Sequence, residues 1–187
     1  MQSKLIVAGL IAVLAFAVVG VAGAHRIVRI VGTNGQDTLT GTASADGIVA
    51  RAGDDTVNAG AGNDRVHGNR GRDTLNGEAG NDRIWGGLDA DTLDGGDGND
   101  VLRGRPGDDR ISGGPGNDVI WVGGGADTQR GGDGNDVLHA LANDDQTDTI
   151  DCGAGSDTVW LNAAESDTHE NCETVKTVTV SGASGDD

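Results

Sequence analysis

The sequence predicts an all-β chain, wound as a right-handed parallel β-solenoid with 18 residues in each coil. Three observations predict it. Asp recurs at every ninth position from Asp37 to Asp136. An aliphatic residue stands two places after all but one of those Asp residues. Glycine makes up 34 of the 187 residues, about 18 per cent against a usual 7 per cent. Bulk for an ordinary core is missing, with three Trp, one Phe (Phe16) and no Tyr, so any core is thin and aliphatic.

Twelve nonamers run without a gap from Gly32 to His139. Their sixth positions are Asp37, Asp46, Asp55, Asp64, Asp73, Asp82, Asp91, Asp100, Asp109, Asp118, Asp127 and Asp136. The eighth positions are aliphatic, from Leu39 and Ile48 through to Leu138, except at Gln129. Position four is Gly except at Ser44 and Asp89. Ala140, Leu141 and Ala142 read as a three-residue insertion. Two more units follow, with Asp148 and Ile150, then Asp157 and Val159.

Each unit is a turn followed by a strand. Gly at positions one, two and four permits φ > 0 and close backbone approach. Positions seven to nine alternate out, in, out, which is a short strand. One unit cannot bury its aliphatic residue alone, so units must stack. Two units then form one coil with a strand on each side, and coils repeat about every 4.8 Å.

The formal charge is −17, with 26 Asp and only four Glu. Asp is a poor helix former but suits turns and oxygen-rich metal sites. A compact chain of this charge repels itself unless cations neutralise it. With no run of basic residues in the sequence, nucleic acid and anionic lipid are not expected as partners.

Gly95-Gly96-Asp97-Gly98-Asn99-Asp100-Val101-Leu102 and Gly131-Gly132-Asp133-Gly134-Asn135-Asp136-Val137-Leu138 resemble the RTX, or hemolysin-type, nonapeptide GGxGxDxUx. The resemblance runs from Gly32 to Trp160 and implies a calcium-loaded parallel β-roll. It implies that each Ca²⁺ sits between turns on one edge, two repeats apart, held by sixth-position Asp carboxylates and turn carbonyls. Such all-oxygen coordination is what hard Ca²⁺ requires. The ligand set so implied is the twelve Asp above with Asp148 and Asp157. The competing reading is a glycine-rich solenoid whose Asp residues only make Asx turns. Against it, Asn never replaces Asp at position six, although Asn63, Asn81, Asn99, Asn117 and Asn135 occupy position five. The chain departs from the best-known RTX proteins in its N-terminal leader and its cysteine pair. In both it is similar to small Sec-exported bacterial repeat proteins.

The N-terminus is apolar from Leu5 to Val21 and closes on Ala22-Gly23-Ala24, the pattern of a bacterial signal peptide cut before His25. Membrane attachment is expected only if that segment is not removed. The expected organisation is a leader at 1–24, an N-terminal cap at 25–31, the β-roll at 32–160, a C-terminal cap at 161–180 and a disordered tail at 181–187. Cys152 and Cys172 suit a disulfide in an exported protein; two free thiols are the other reading.

Alternate nonamers face opposite sheets, so position nine sorts into two columns. Trp85, Arg103, Trp121 and Trp160 fall in one of them, as a candidate contact face, with Arg103 placed to stack on a neighbouring Trp. Packing that merely stiffens the sheet is the alternative. The sequence holds no GxSxG, P-loop, EF-hand or HExxH pattern, and an enzyme is not expected. It is read as a secreted, calcium-folded structural or interaction module. The alternative is an adhesin or carbohydrate-binding module using the Trp face. Calcium is the expected partner, with a surface glycan, a protein or a second copy as candidates for that face.

Overall fold

The computed structural model describes residues 27–180. The expected leader, and the tail at 181–187, lie outside the described residues. Seventeen strands run in two parallel sheets. The nine-stranded sheet holds β1 (Val28–Val31), β3 (Asp46–Ala52), β5 (Arg65–Arg70), β7 (Arg83–Leu88), β9 (Val101–Arg103), β11 (Val119–Trp121), β13 (Val137–Ala140), β15 (Thr158–Asn162) and β17 (Thr174–Val178). The eight-stranded sheet holds β2 (Thr38–Thr42), β4 (Thr56–Gly60), β6 (Thr74–Asn76), β8 (Thr92–Asp94), β10 (Arg110–Pro115), β12 (Thr128–Gly134), β14 (Thr149–Gly155) and β16 (Thr168–Glu170). The chain alternates strictly between the sheets, so each strand pairs with the strands one coil away.

Register follows the repeat. Ile48 lies opposite Val66 and Ile120 opposite Leu138, 18 residues apart. The eighth-position side chains from Leu39 to Val159 point inward and are buried. They form two facing columns, one from each sheet, that make a narrow core, and each aliphatic member is worth roughly 1.5–3 kcal/mol when fully buried.

Position one also points inward, a role the alternation of the last three residues does not reveal. Where it is not Gly it faces the core, fully buried as Ala50, Ala59, Ala140 and Cys152 and partly buried as Val122. Its glycines answer to crowding rather than to φ: a Cβ on Gly95 would lie 2.6 Å from the carbonyl oxygen of Gly113, one coil on. Position four is the turn proper. Gly98 there has φ +138, a conformation that favours Gly.

The three extra residues, expected at Ala140–Ala142, fall in the turn between Ala140 and Thr149. Ala140 itself ends β13, opposite Leu161. The excess bulges outward without changing phase, because Leu138 still faces Val159 and Gln129 still faces Ile150. Asn162 holds the bulge by donating from Nδ2 to the carbonyl of Ala142 at 2.6 Å.

Strands β16 and β17 add one further rung to each sheet. His169 and Val175 continue the two inward columns, opposite Ile150 and Val159, but both are exposed. The dry core therefore ends at Val159 and Leu161. A disulfide joins Cys152, inside the core, to Cys172 between the last two strands, with the Cα atoms 5.2 Å apart. It ties this last rung to the coil beneath it.

Gln129 interrupts one of the aliphatic columns. It is fully buried, opposite Ile111 and Ile150, and neither polar atom of its amide has a partner. An unpaired buried amide costs free energy that an aliphatic residue of similar size does not. Gln129→Leu is therefore expected to stabilise the calcium-loaded protein by about 1 kcal/mol. Denaturant midpoints at saturating calcium test this, and a lower midpoint would mean that the amide is bonded.

Candidate metal-binding edges

The sixth-position Asp residues form two files, one along each edge of the solenoid, just before the strands. One file runs Asp46, Asp64, Asp82, Asp100, Asp118, Asp136 and Asp157, and leads into the nine-stranded sheet. The other runs Asp37, Asp55, Asp73, Asp91, Asp109, Asp127 and Asp148, and leads into the eight-stranded sheet. All fourteen side chains are buried.

Within a file the two oxygens of each carboxylate have different fates. Oδ1 accepts the backbone N–H of the Asp one coil earlier. Asp82 N–H donates to Asp100 Oδ1 at 2.7 Å, and Asp100 N–H to Asp118 Oδ1 at 2.7 Å. The same bond spans the bulge from Asp136 N–H to Asp157 Oδ1 at 2.8 Å. Oδ2 is different: from Asp55 to Asp136, and again in Asp157, it is buried with no partner. It faces the crowded side of position one. At Gly95, a Cβ would run into both the unpartnered Asp100 Oδ2 and the carbonyl oxygen of Gly113. Carboxylate and carbonyl oxygens thus converge on one side of the turn with no donor between them.

A buried anionic oxygen beside a carbonyl is expensive. Burial pushes Asp91 up to about 8, against the bond from the Asp73 N–H, and Asp109 and Asp73 add repulsion. Burial likewise raises Asp127 to about 8, and Asp82, Asp100, Asp109, Asp118 and Asp148 to about 7. Unneutralised, the ladder would hold protons near neutral pH. A hard divalent cation removes the same penalty while leaving the oxygens ionised. Among the described residues no three His, Cys, Asp or Glu side chains gather about one point. A cation here would therefore draw on carboxylates in single file together with turn carbonyls, which fits Ca²⁺ and not a transition metal.

Two ladder members escape the sequence reading. Asp148 N–H donates to Asp167 Oδ1 at 3.0 Å, and Asp157 N–H donates to Glu173 Oε2 at 2.7 Å. They extend the two files by one rung, but they fall 19 and 16 residues on, off the repeat. The position-five asparagines form a counter-running ladder on one edge. Asn99 N–H donates to Asn81 Oδ1, and Asn117 N–H to Asn99 Oδ1, both at 2.7 Å. That explains Asn there: its carbonyl accepts from the next coil without adding charge to an acidic edge.

The expected contact residues share the nine-stranded sheet. Arg103 lies between Trp85 and Trp121 in register, and Trp160 joins the column opposite His139. The rings stack along the solenoid axis. His67 and Trp85 are 4.4 Å apart with planes 6° from parallel, and Trp121 and His139 are 5.0 Å apart at 3°. Arg103 Cζ lies 4.6 Å from the Trp121 ring centroid, and Lys176 Nζ lies 4.5 Å from that of Trp160. His67, His139 and Lys176 are thus members of the stack. Lys176, beyond the last nonamer, has no repeat position to mark it. Both imidazoles are held below their usual range by burial, with Arg105 and Arg103 respectively adding repulsion.

A family model for the RTX calcium-binding nonapeptide repeat matches the chain at residues 31–66, 58–93, 67–102, 94–129 and 123–159. No curated protein matches it.

Two outcomes follow from the ladder. The raised pKa values favour the metal-free fold when the carboxyls are protonated; that contribution is complete below the ordinary Asp range and is lost as pH rises through about 6 to 8. In chelator the chain should therefore gain β-structure as pH falls from 8 towards 4. Calcium affinity should run the other way, weakening about tenfold or more between pH 8 and pH 6 as protons compete. Circular dichroism with calcium titrations at each pH tests both, and a pH-independent affinity would contradict them. Asp118→Ala should lower calcium stoichiometry by about one or two ions, whereas Asp97→Ala, at an exposed turn position, should leave it unchanged. Equal losses by native mass spectrometry would show that the ladder does not hold the ions.

Proposed function

Because the chain belongs to the RTX calcium-binding nonapeptide-repeat family, we propose that it is exported, folds as calcium loads its two edges, and then serves as a rigid interaction module. The observation that carries this reading is the double file of buried carboxylates, which from Asp55 to Asp136 each bond one oxygen to the previous coil and leave the other without a partner. The core supports it too. One thin aliphatic core is little to set against two rows of buried charge, so the fold depends on the counter-ion.

Export is supported by the leader pattern before His25 and by the disulfide. Loss of Lys4 with the leader takes the formal charge from −17 to −18. About nine calcium ions would cancel it, and the carboxylate files offer sites on a similar scale. The reading is of a binding module rather than an enzyme, because the paired acids that could serve catalysis are the ladder itself. Face-on stacking of a neutral sugar is disfavoured at Trp121 and Trp160, whose rings have a stacked neighbour and a cation over them.

The test is a calcium titration followed by far-ultraviolet circular dichroism, with the mass of the exported protein. Disorder in chelator, cooperative β-structure in millimolar calcium and a mature chain beginning at His25 are expected. A spectrum that chelator does not alter would overturn calcium-driven folding. A mass that retains residues 1–24 would overturn the cleaved leader.

A further inference from the structure

Beside the aromatic stack lies a groove of about 500 Å³, within the range of small-ligand sites. It is lined by Trp85, Arg103 and Trp121 of the stack, and by Arg70 and Leu88 at the ends of β5 and β7 with Arg105 just beyond β9. Leu88 is 47 % exposed there, one of the few large apolar side chains so placed.

The charge of this groove is opposite to that of the molecule. Three arginines line it and no carboxylate does, in a chain with thirty acidic residues and thirteen basic ones. None of the three has a carboxylate partner. Among the described residues the one ion pair is Arg130–Asp151, on the other sheet. Arg103 Nε has no hydrogen-bond acceptor at all. Arg105 is near enough to His67 to lower its pKa, and Arg103 does the same to His139. The groove therefore concentrates unneutralised positive charge at a concave, partly apolar surface.

The stack decides between ligand classes. A neutral sugar recognised by an aromatic protein needs an open ring face. Here His67 covers one face of Trp85, while Arg103 and His139 stack on Trp121. What the groove offers in plenty is guanidinium N–H groups, beside the Trp85 ring and the Leu88 side chain. Guanidinium forks recognise carboxylate and sulfate, and an apolar patch beside them suits the C–H face of a pyranose. We infer that the groove over Trp85, Arg103 and Trp121 binds an acidic saccharide, a short segment carrying carboxylate groups as a uronate does. The inference deepens the interaction-module reading and rests on it, because the groove exists only while the coil is wound.

The probes are trigalacturonate and its methyl ester, titrated calorimetrically into calcium-loaded protein whose β-structure is confirmed in the same buffer. The acid is expected to bind and the ester at least tenfold more weakly. The double variant Arg103→Gln/Arg105→Gln is expected to weaken the acid at least tenfold with its circular dichroism unchanged. Arg110→Gln, on the eight-stranded sheet, should leave binding as it was. Several results would overturn the inference: no binding by folded protein, equal binding of acid and ester, an equal loss in Arg110→Gln, or equal affinity for inorganic sulfate or a polyglutamate peptide. If the double variant does not wind, Arg70→Gln, at an exposed position, replaces it, with the same tenfold loss expected. Protein that fails to wind in calcium at all would instead remove the calcium reading, which the spectrum reports separately.

Discussion

The structure depends on one constraint: each coil must place a carboxylate under the backbone N–H of the coil before it. That bond accounts for Asp at position six, since Asp82 to Asp100 and Asp100 to Asp118 repeat it without change. It uses half of the carboxylate. The other oxygen is turned into the crowded corner beside position one, where Gly predominates. Backbone geometry, glycine usage and anionic character therefore follow from the same contact. The aliphatic columns are subordinate to it: their members are small enough to follow the carboxylate spacing, and the sheets simply inherit the 18-residue register.

The repeat made much of this legible. A strict nine-residue Asp period, with an aliphatic residue two places later, fixes both the strand and the direction its side chain points. Two nonamers per coil, expected from one strand on each side, are borne out by the register that Trp85, Arg103 and Trp121 share. What remained hidden was whatever the period does not encode. Position one looks like turn glycine in sequence, and its inward role shows only through Ala50, Ala59 and Cys152. Asp167 and Glu173 act as ladder members, but irregular spacing disguises them. The location of the extra residues is ambiguous in sequence because Ala140 suits either the strand or the bulge. Pairing with Leu161 decides it.

The aromatic column shows how a correct placement can still leave its physics open. Sequence puts three Trp residues on one sheet and suggests an apolar contact surface. In three dimensions the spacing of neighbouring strands matches the thickness of stacked planar groups, so His67, Arg103, His139 and Lys176 intercalate between or beside the Trp rings. The rings then spend their faces on one another and on cations. What remains available is an edge rich in donors, flanked by arginines that the acidic edges do not reach.

The disulfide sits at one end of a molecule in which every contact is between nearest neighbours. In such a linear array, order can begin anywhere and spread one unit at a time. The unbridged coils all carry similar entropic costs of ordering, whereas the bridge joining Cys152 to Cys172 has already restricted its segment in the unfolded chain. The bridge therefore lowers the entropic cost of ordering the stapled coil relative to the others. Between that coil and β1 lies the junction where Gln129 faces Ile150 and the three surplus residues bulge out. That junction is the least well-matched place between two blocks of regular coils.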